Sequence, residues 1–238
     1  MSRIGIIAAL PTEANCLYNK KLKLHTPVEI EKDQFLCLSG MGFNSAQHAA
    51  KELLALNIDA LISWGVAGSI DKSLKSGDLL VAHLVITDDK SYSIRDDWVT
   101  RLETQFQASS IYSINGSIAS IRNICASVED KNKLCTTTGA IAVDMESAAI
   151  AERANANNID FLVLRAIADE ADTGIPEAVI KHTDHLGRPK LVPFIASCLK
   201  SPGQIKHLML LAKGYRQALN TLKRVAPDLK KQHFLYNA

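Results

Sequence analysis

The sequence predicts an α/β layer fold, with a mostly parallel sheet carrying helices on both faces. Two observations support this. Short apolar, β-branched runs alternate with segments of helical period, the pattern of strands joined by helical crossovers. The 238 residues, 47% hydrophobic and 22% charged, supply a full core for one domain and exclude disordered, collagen-like and disulfide-scaffold classes.

In chain order, strands are expected at Arg3 to Leu10, Phe35 to Ser39, Ala60 to Trp64, Asp78 to Val85, Ala140 to Val143 and Phe161 to Ile167. Ser45 to Leu56 reads as a helix with a serine at its start, and Glu146 to Asn155 as an alanine-rich helix. The stretch from Asp88 to Ser127 has mixed polarity and allows either a loop with a short helix or irregular strands. Beyond Asp172 the sheet pattern stops. A polar stretch through Gly187, Arg188 and Pro189 precedes two helical segments, Leu191 to Leu199 and Gln204 to Ala226. No repeat or linker marks a boundary, so residues 1–238 form one domain with a basic helical extension from about residue 190.

Charge is unevenly placed. From Lys200 onward there are eight basic residues and one acid, Asp228, while the first 199 residues carry 19 basic and 24 acidic. Residues Ile205, Leu208, Ala212, Tyr215, Leu219, Leu222 and Ala226 form an apolar stripe flanked by lysine and arginine. Two readings follow: a helix docked on the sheet with a solvated basic side, or a surface from Gln204 to Ala226 that meets anionic lipid. The five cysteines, Cys16, Cys37, Cys125, Cys135 and Cys198, form no C-x-x-C pair and read as thiols in a reducing compartment. The start of the chain does not read as a secretory signal, and no apolar run nears the roughly 18 residues that span a bilayer. A cytoplasmic location is expected.

Three acids each follow an apolar strand: Glu13, Glu146 and Asp169. In an open α/β sheet the strand ends share one edge, where ligands bind. Three carboxylates there suit a cationic transition state, or a reaction needing both an acid and a base; helix capping is the alternative for any one of them. Gly40 and Gly42 lie between a strand and a helix, where backbone N–H groups could meet an anion or a sugar. The turn Gly65-Val66-Ala67-Gly68 is either a simple turn or ligand-facing. Asp59 precedes its strand instead of following it, which argues against dinucleotide binding. His182, Asp184 and His185 lack further metal ligands at informative spacing. With no Walker loop, no G-x-S-x-G and no aromatic-rich basic strand, no cofactor, metal or nucleic acid is expected.

Five separated motifs, over roughly residues 3 to 172, resemble the nucleoside phosphorylase and nucleosidase superfamily. They are I-G-I-I-A-A-L-P-T-E-A at the N-terminus, S-G-M-G-x-x-x-A at Ser39, W-G-V-A-G-S at Trp64, A-V-D-M-E-S-A-A at Ala142 and L-R-A-I-A-D-E-A-D at Leu164. The run T-G-A-I-A-V-D-M-E-S and the segment His185 to Pro189 resemble, more narrowly, the hopanoid-associated phosphorylases, the adenosylhopane nucleosidase group. The resemblance implies a three-layer α/β/α sandwich with a twisted, mostly parallel mixed sheet. It also implies cleavage of the N-glycosidic bond of a purine nucleoside in a homo-oligomer.

By position, Glu13 matches the carboxylate that activates water, Met145 and Glu146 the ribose-binding pair, and Asp169 the acid that protonates N7 of the purine. Arg165 matches an arginine near the sugar, and Gly65 and Val66 lie in the turn beside it. Val66 stands where many relatives have serine, and no arginine counterpart for phosphate is evident at Ser63 or beside Glu13, which favours water over phosphate as nucleophile. Arg95, Arg101 and Arg188 remain candidates to reach the site. Base contacts are expected near Ser117 to Ser127. The expected substrate is a 5′-substituted adenosine, with a large lipid as one form of the 5′ group. 5′-Methylthioadenosine or S-adenosylhomocysteine is the alternative substrate, a phosphate-dependent purine nucleoside phosphorylase the alternative enzyme, and a nucleoside-binding module the non-enzyme alternative.

Overall fold

Nine strands form one mixed sheet in the computed structural model, which describes residues 3–182, 184–187 and 204–231. In order the elements are β1 (Ile4–Ala8), α1 (Pro11–Leu17), β2 (Val28–Glu31), β3 (Gln34–Leu38), α2 (Phe43–Leu54), β4 (Ala60–Ser69), β5 (Leu79–Ile86) and β6 (Ser91–Ser93). They continue with α3 (Asp96–Ala108), β7 (Ile114–Ser120), α4 (Val128–Thr138), β8 (Ala142–Asp144), α5 (Ser147–Ala156), β9 (Asp160–Asp169), α6 (Glu177–His182) and α7 (Gln204–Lys230). The predicted helix at Leu191 to Leu199 lies outside the described residues.

Strand β1 runs parallel to both β3 and β4, and β4 runs parallel to β9. Strand β7 is parallel to β5 and β8, while β2–β3, β5–β6, β4–β8 and β5–β9 are antiparallel. The α/β class and mixed sheet are as expected. The closure is an addition to it. After Ala67 the register of β4 shifts so that Gly68 meets Asp169 of β9, and on the other side Gly68 and Ser69 pair with Val143 and Ala142 of β8. Strands β4, β9, β5, β7 and β8 thereby close on one another, and a bulge of this kind is what bends a strand enough to do so.

Both faces are covered. Adjacent residues of β4 point opposite ways: the Ser63 hydroxyl meets that of Ser147 on α5, while the Trp64 indole N–H donates to the Glu13 carbonyl of α1. Ala46, Ala49, Ala50 and Leu53 form the buried stripe of α2 at steps of three and four. Gly5 permits its approach, since a Cβ there would lie 2.9 Å from Leu61 and 3.0 Å from Leu53. The unread middle holds a regular amphipathic helix, α3, burying Trp98, Val99, Leu102 and Phe106. In α4, Ser127 caps the start by accepting the Asp130 N–H, and Gly139 ends it at φ 69°.

Helix α7 divides. Its C-terminal half buries Ala218, Leu222, Val225, Ala226 and Leu229 in the core, whereas Met209 and Leu210 near its start are exposed. The docked reading holds for that half, and the stripe is centred one residue away from the predicted one. Among the described residues no helix is long and apolar enough to cross a membrane.

Candidate active site

A cavity of about 170 Å³ lies where β1, β4, β8 and β9 end, and Glu13, Val66, Met145, Glu146 and Asp169 all line it. The three acids that follow separate strands therefore meet. Gly65 and Arg165 sit beneath, around a smaller space shared with Glu13 and Glu146.

Glu13 lies in the first turn of α1, which starts with Pro11 at a position that needs no N–H donor. Its Oε2 accepts the Leu10 N–H at 2.8 Å and its Oε1 the Val66 N–H at 2.9 Å. It thus both caps the helix and faces the cavity. Gly65 makes room for it: a Cβ there would stand 2.6 Å from Oε1. Burial raises the Glu13 pKa, opposed by the Val66 N–H and the Arg165 charge.

Glu146 joins β8 to α5 and accepts the Gly42 N–H through Oε1 at 2.6 Å. The G-M-G turn thus hands its backbone donor to this carboxylate. Burial, then the nearby Asp144 carboxylate, push the Glu146 pKa up to about 7. Asp169 ends β9 against Gly68, where a Cβ would stand 3.0 Å from its Oδ2. Its pKa is raised by burial against the opposing charge of Lys131, whose Nζ donates to Oδ2.

Arg165 is 2% exposed and donates to Asp144 through Nε (2.9 Å) and Nη2 (2.7 Å), to Ser63 (2.6 Å) and to Ser147 (3.1 Å). Its partners are the protein's own groups, so it acts on Glu13 and Glu146 by charge. Arg95 pairs with Asp97 and with Asp160 at the start of β9, and Arg101 pairs with Asp97. Both are committed at the far end of the strand that carries Asp169. Arg188 lies outside the described residues.

The segment 117–127, where base contacts are expected, supplies Ile121, Asn123, Ile124 and Cys125 to the cavity wall, while Leu10, Met41 and Ile175 line it without having been singled out in the sequence. The four from 121–125 directly follow β7, the same strand-end position that marks the acids. The sequence reading also missed Lys131, fully buried on α4. The backbone carbonyl of His185 accepts the Met41 N–H at 2.8 Å, and Asp184 accepts the Leu186 N–H. Chemically, the cavity offers three carboxyl groups with raised pKa values, able to divide acid, base and charge-stabilising roles among them.

Fold and cavity together define an α/β protein that gathers carboxylates at the strand ends of a partly closed mixed sheet. Residues 3–189 match the Phosphorylase superfamily, and the chain belongs to that family. It is 28% identical over 198 residues to a 5′-methylthioadenosine/S-adenosylhomocysteine nucleosidase of Staphylococcus aureus, covering 71% of this chain and 87% of the relative. Its fold is shared by many solved structures, among them these three. The Neisseria meningitidis nucleosidase of the same name, in complex with methylthio-immucillin-A, has a TM-score of 0.72 at 19% identity, covering 97% and 100% of the two chains. The Helicobacter pylori nucleosidase with butyl-thio-DADMe-Immucillin-A gives 0.70 at 21%, covering 95% and 98%. The Helicobacter pylori futalosine hydrolase gives 0.69 at 22%, covering 95% and 97%.

Proposed function

We propose that the protein hydrolyses the N-glycosidic bond of a 5′-substituted adenosine and releases adenine. Asp169 gives a proton to N7 of the departing base, Glu13 activates the attacking water, and Glu146 with Met145 holds the ribose. The observation that carries this reading is the convergence of three carboxyl groups on a cavity with no lysine or arginine among its described lining residues. As the base departs, the sugar becomes oxocarbenium-like, and nearby carboxylates stabilise that positive charge. A phosphate dianion entering the same cavity would meet like charges with no cation in contact among the described lining residues, which favours water. The relatives named for 5′-methylthioadenosine and S-adenosylhomocysteine support an adenosine substrate with a 5′ substituent.

We assign to the 5′ position a large apolar group of the adenosylhopane type, on the sequence resemblance of residues 138–147 and 185–189. The exposed Met209 and Leu210, between Lys206 and Lys213 near the start of α7, support weak contact with an anionic lipid surface. The enzyme then works as a cytoplasmic homo-oligomer that visits the membrane. Adenosines carrying methylthio, homocysteinyl or long alkyl groups at the 5′ position, each with and without phosphate, test the assignment. Adenine release without phosphate, fastest for the long alkyl form, is expected. Preference for the methylthio form makes the protein a nucleosidase for small thioadenosines. Vesicles rich in anionic lipid should sediment the protein at low salt, and Lys206→Glu with Lys213→Glu should abolish that.

A further inference from the structure

Lys131 has no role in the chemistry described so far, yet it is fully buried and directed at the cavity's acid. Its ammonium donates to Asp169 Oδ2, to the Glu170 carbonyl at 2.8 Å and to the Thr173 carbonyl at 3.1 Å. All three N–H bonds are used, and among the described residues Asp169 is the only anion they reach. A buried ammonium is retained only where its charge and donors are satisfied. A lysine serving packing alone would be replaceable by an apolar side chain.

We propose that Lys131 is the positioning residue behind the acid: it fixes Asp169 against the turn Glu170–Thr173 and sets the pH at which Asp169 gives up its proton. This rests on the nucleosidase reading. In the step, the C1′–N9 bond breaks with its electron pair passing to the base. The Asp169 O–H bond also breaks, and its proton passes to N7. The carboxylate left behind is the one Lys131 already faces, so the ammonium strengthens the acid by stabilising its conjugate base. Oδ2 is held by Lys131, and Oδ1 accepts no hydrogen bond among the described residues, which leaves it for the substrate.

The other titratable groups around Asp169 are accounted for. Glu170 turns away to Lys75 at 3.0 Å, and Asp130 accepts from Ser127. Cys125, across the cavity wall, is held towards its neutral thiol by burial. Lys131 is the cation that holds the Asp169 pKa down against burial.

The test compares Lys131→Met and Lys131→Arg with wild type, with Lys131→Gln as a second neutral variant should methionine not fold. The acid form of Asp169 is the active one, so activity on an adenosine substrate falls as pH rises through its pKa. Removing the cation should move this alkaline limb up by about one pH unit or more and lower kcat roughly 10- to 100-fold, whereas arginine should keep the wild-type limb. A 4-nitrophenyl riboside, whose leaving group needs no proton, should be cleaved at an unchanged rate.

The Asp169 carboxyl NMR resonance, identified with Asp169→Asn, needs no turnover. Its midpoint should rise by about one pH unit or more in the neutral variants. An unmoved midpoint, or an equal loss on both substrates, overturns the proposal. A shifted midpoint in a protein that cleaves no nucleoside would sink the nucleosidase reading and leave the electrostatic role of Lys131 standing.

Discussion

Glu146→Gln separates two consequences of a buried acid. The Glu146 carboxyl is pushed up to about 7 in the folded protein, against about 4.3 in an unfolded chain. Between those values the folded protein holds a proton that the unfolded chain has released, so stability falls as pH rises through the window. At about 1.4 kcal/mol per pH unit the cost approaches roughly 4 kcal/mol at about pH 8, less where solvent reaches this half-buried side chain. Glutamine bears no such cost. The variant should therefore melt roughly 5 to 10 °C above wild type at about pH 8, with the gap shrinking to about 1 kcal/mol near pH 5. Thermal melts followed by circular dichroism across that range measure it. Turnover on an adenosine substrate should fall by roughly 10²- to 10³-fold, because the amide no longer offers the developing sugar cation a negative charge. Melting curves offset equally at both pH values would refute the reasoning, since the titration would then belong to another group.

Asp169→Asn nearly preserves volume but cannot donate the proton, so kcat on adenosines should drop by about 10²-fold or more with the fold intact; turnover within a few-fold of wild type would remove Asp169 as the acid. Gly65→Ala would place a methyl 2.6 Å from Glu13 Oε1. The carboxylate must move, and kcat/KM should fall by about 10-fold or more with only about 1–3 kcal/mol of stability lost. Ending the chain before residue 204 removes the Ala218, Leu222, Val225, Ala226 and Leu229 face. Such a protein should show no cooperative melt, because burying each large apolar side chain contributes about 1.5–3 kcal/mol.

The strands that organise the site are legible because they are apolar on both faces. Every residue from Phe161 to Ala168 is buried, and no other described element gives so continuous a run. Strand β4 read as ending at Trp64, because Gly65 and Gly68 resemble turn residues. In the structure they are strand positions whose missing side chains make room for Glu13 and Asp169. Helix α3 carries a stripe at Trp98, Val99, Leu102 and Phe106 diluted by charged neighbours, so its period was hidden by composition. Lys131 sits in a polar helix and looks like any solvated lysine. What buries it, the turn after β9, comes some forty residues later in the chain. Such partners are set by tertiary packing, and local sequence carries no trace of them. The acids were legible for the opposite reason, since a strand end fixes its place in the fold through topology alone.

The central claim is that water, directed by carboxylates, displaces the purine. Incubating the protein with a 5′-substituted adenosine in phosphate-free buffer made with oxygen-labelled water, and weighing the sugar product, tests it most directly. Free adenine together with a ribosyl product carrying one labelled oxygen at C1′, formed at a rate that added phosphate leaves unchanged, is the expected result. No release without phosphate, with a ribose 1-phosphate product once phosphate is supplied, would contradict it.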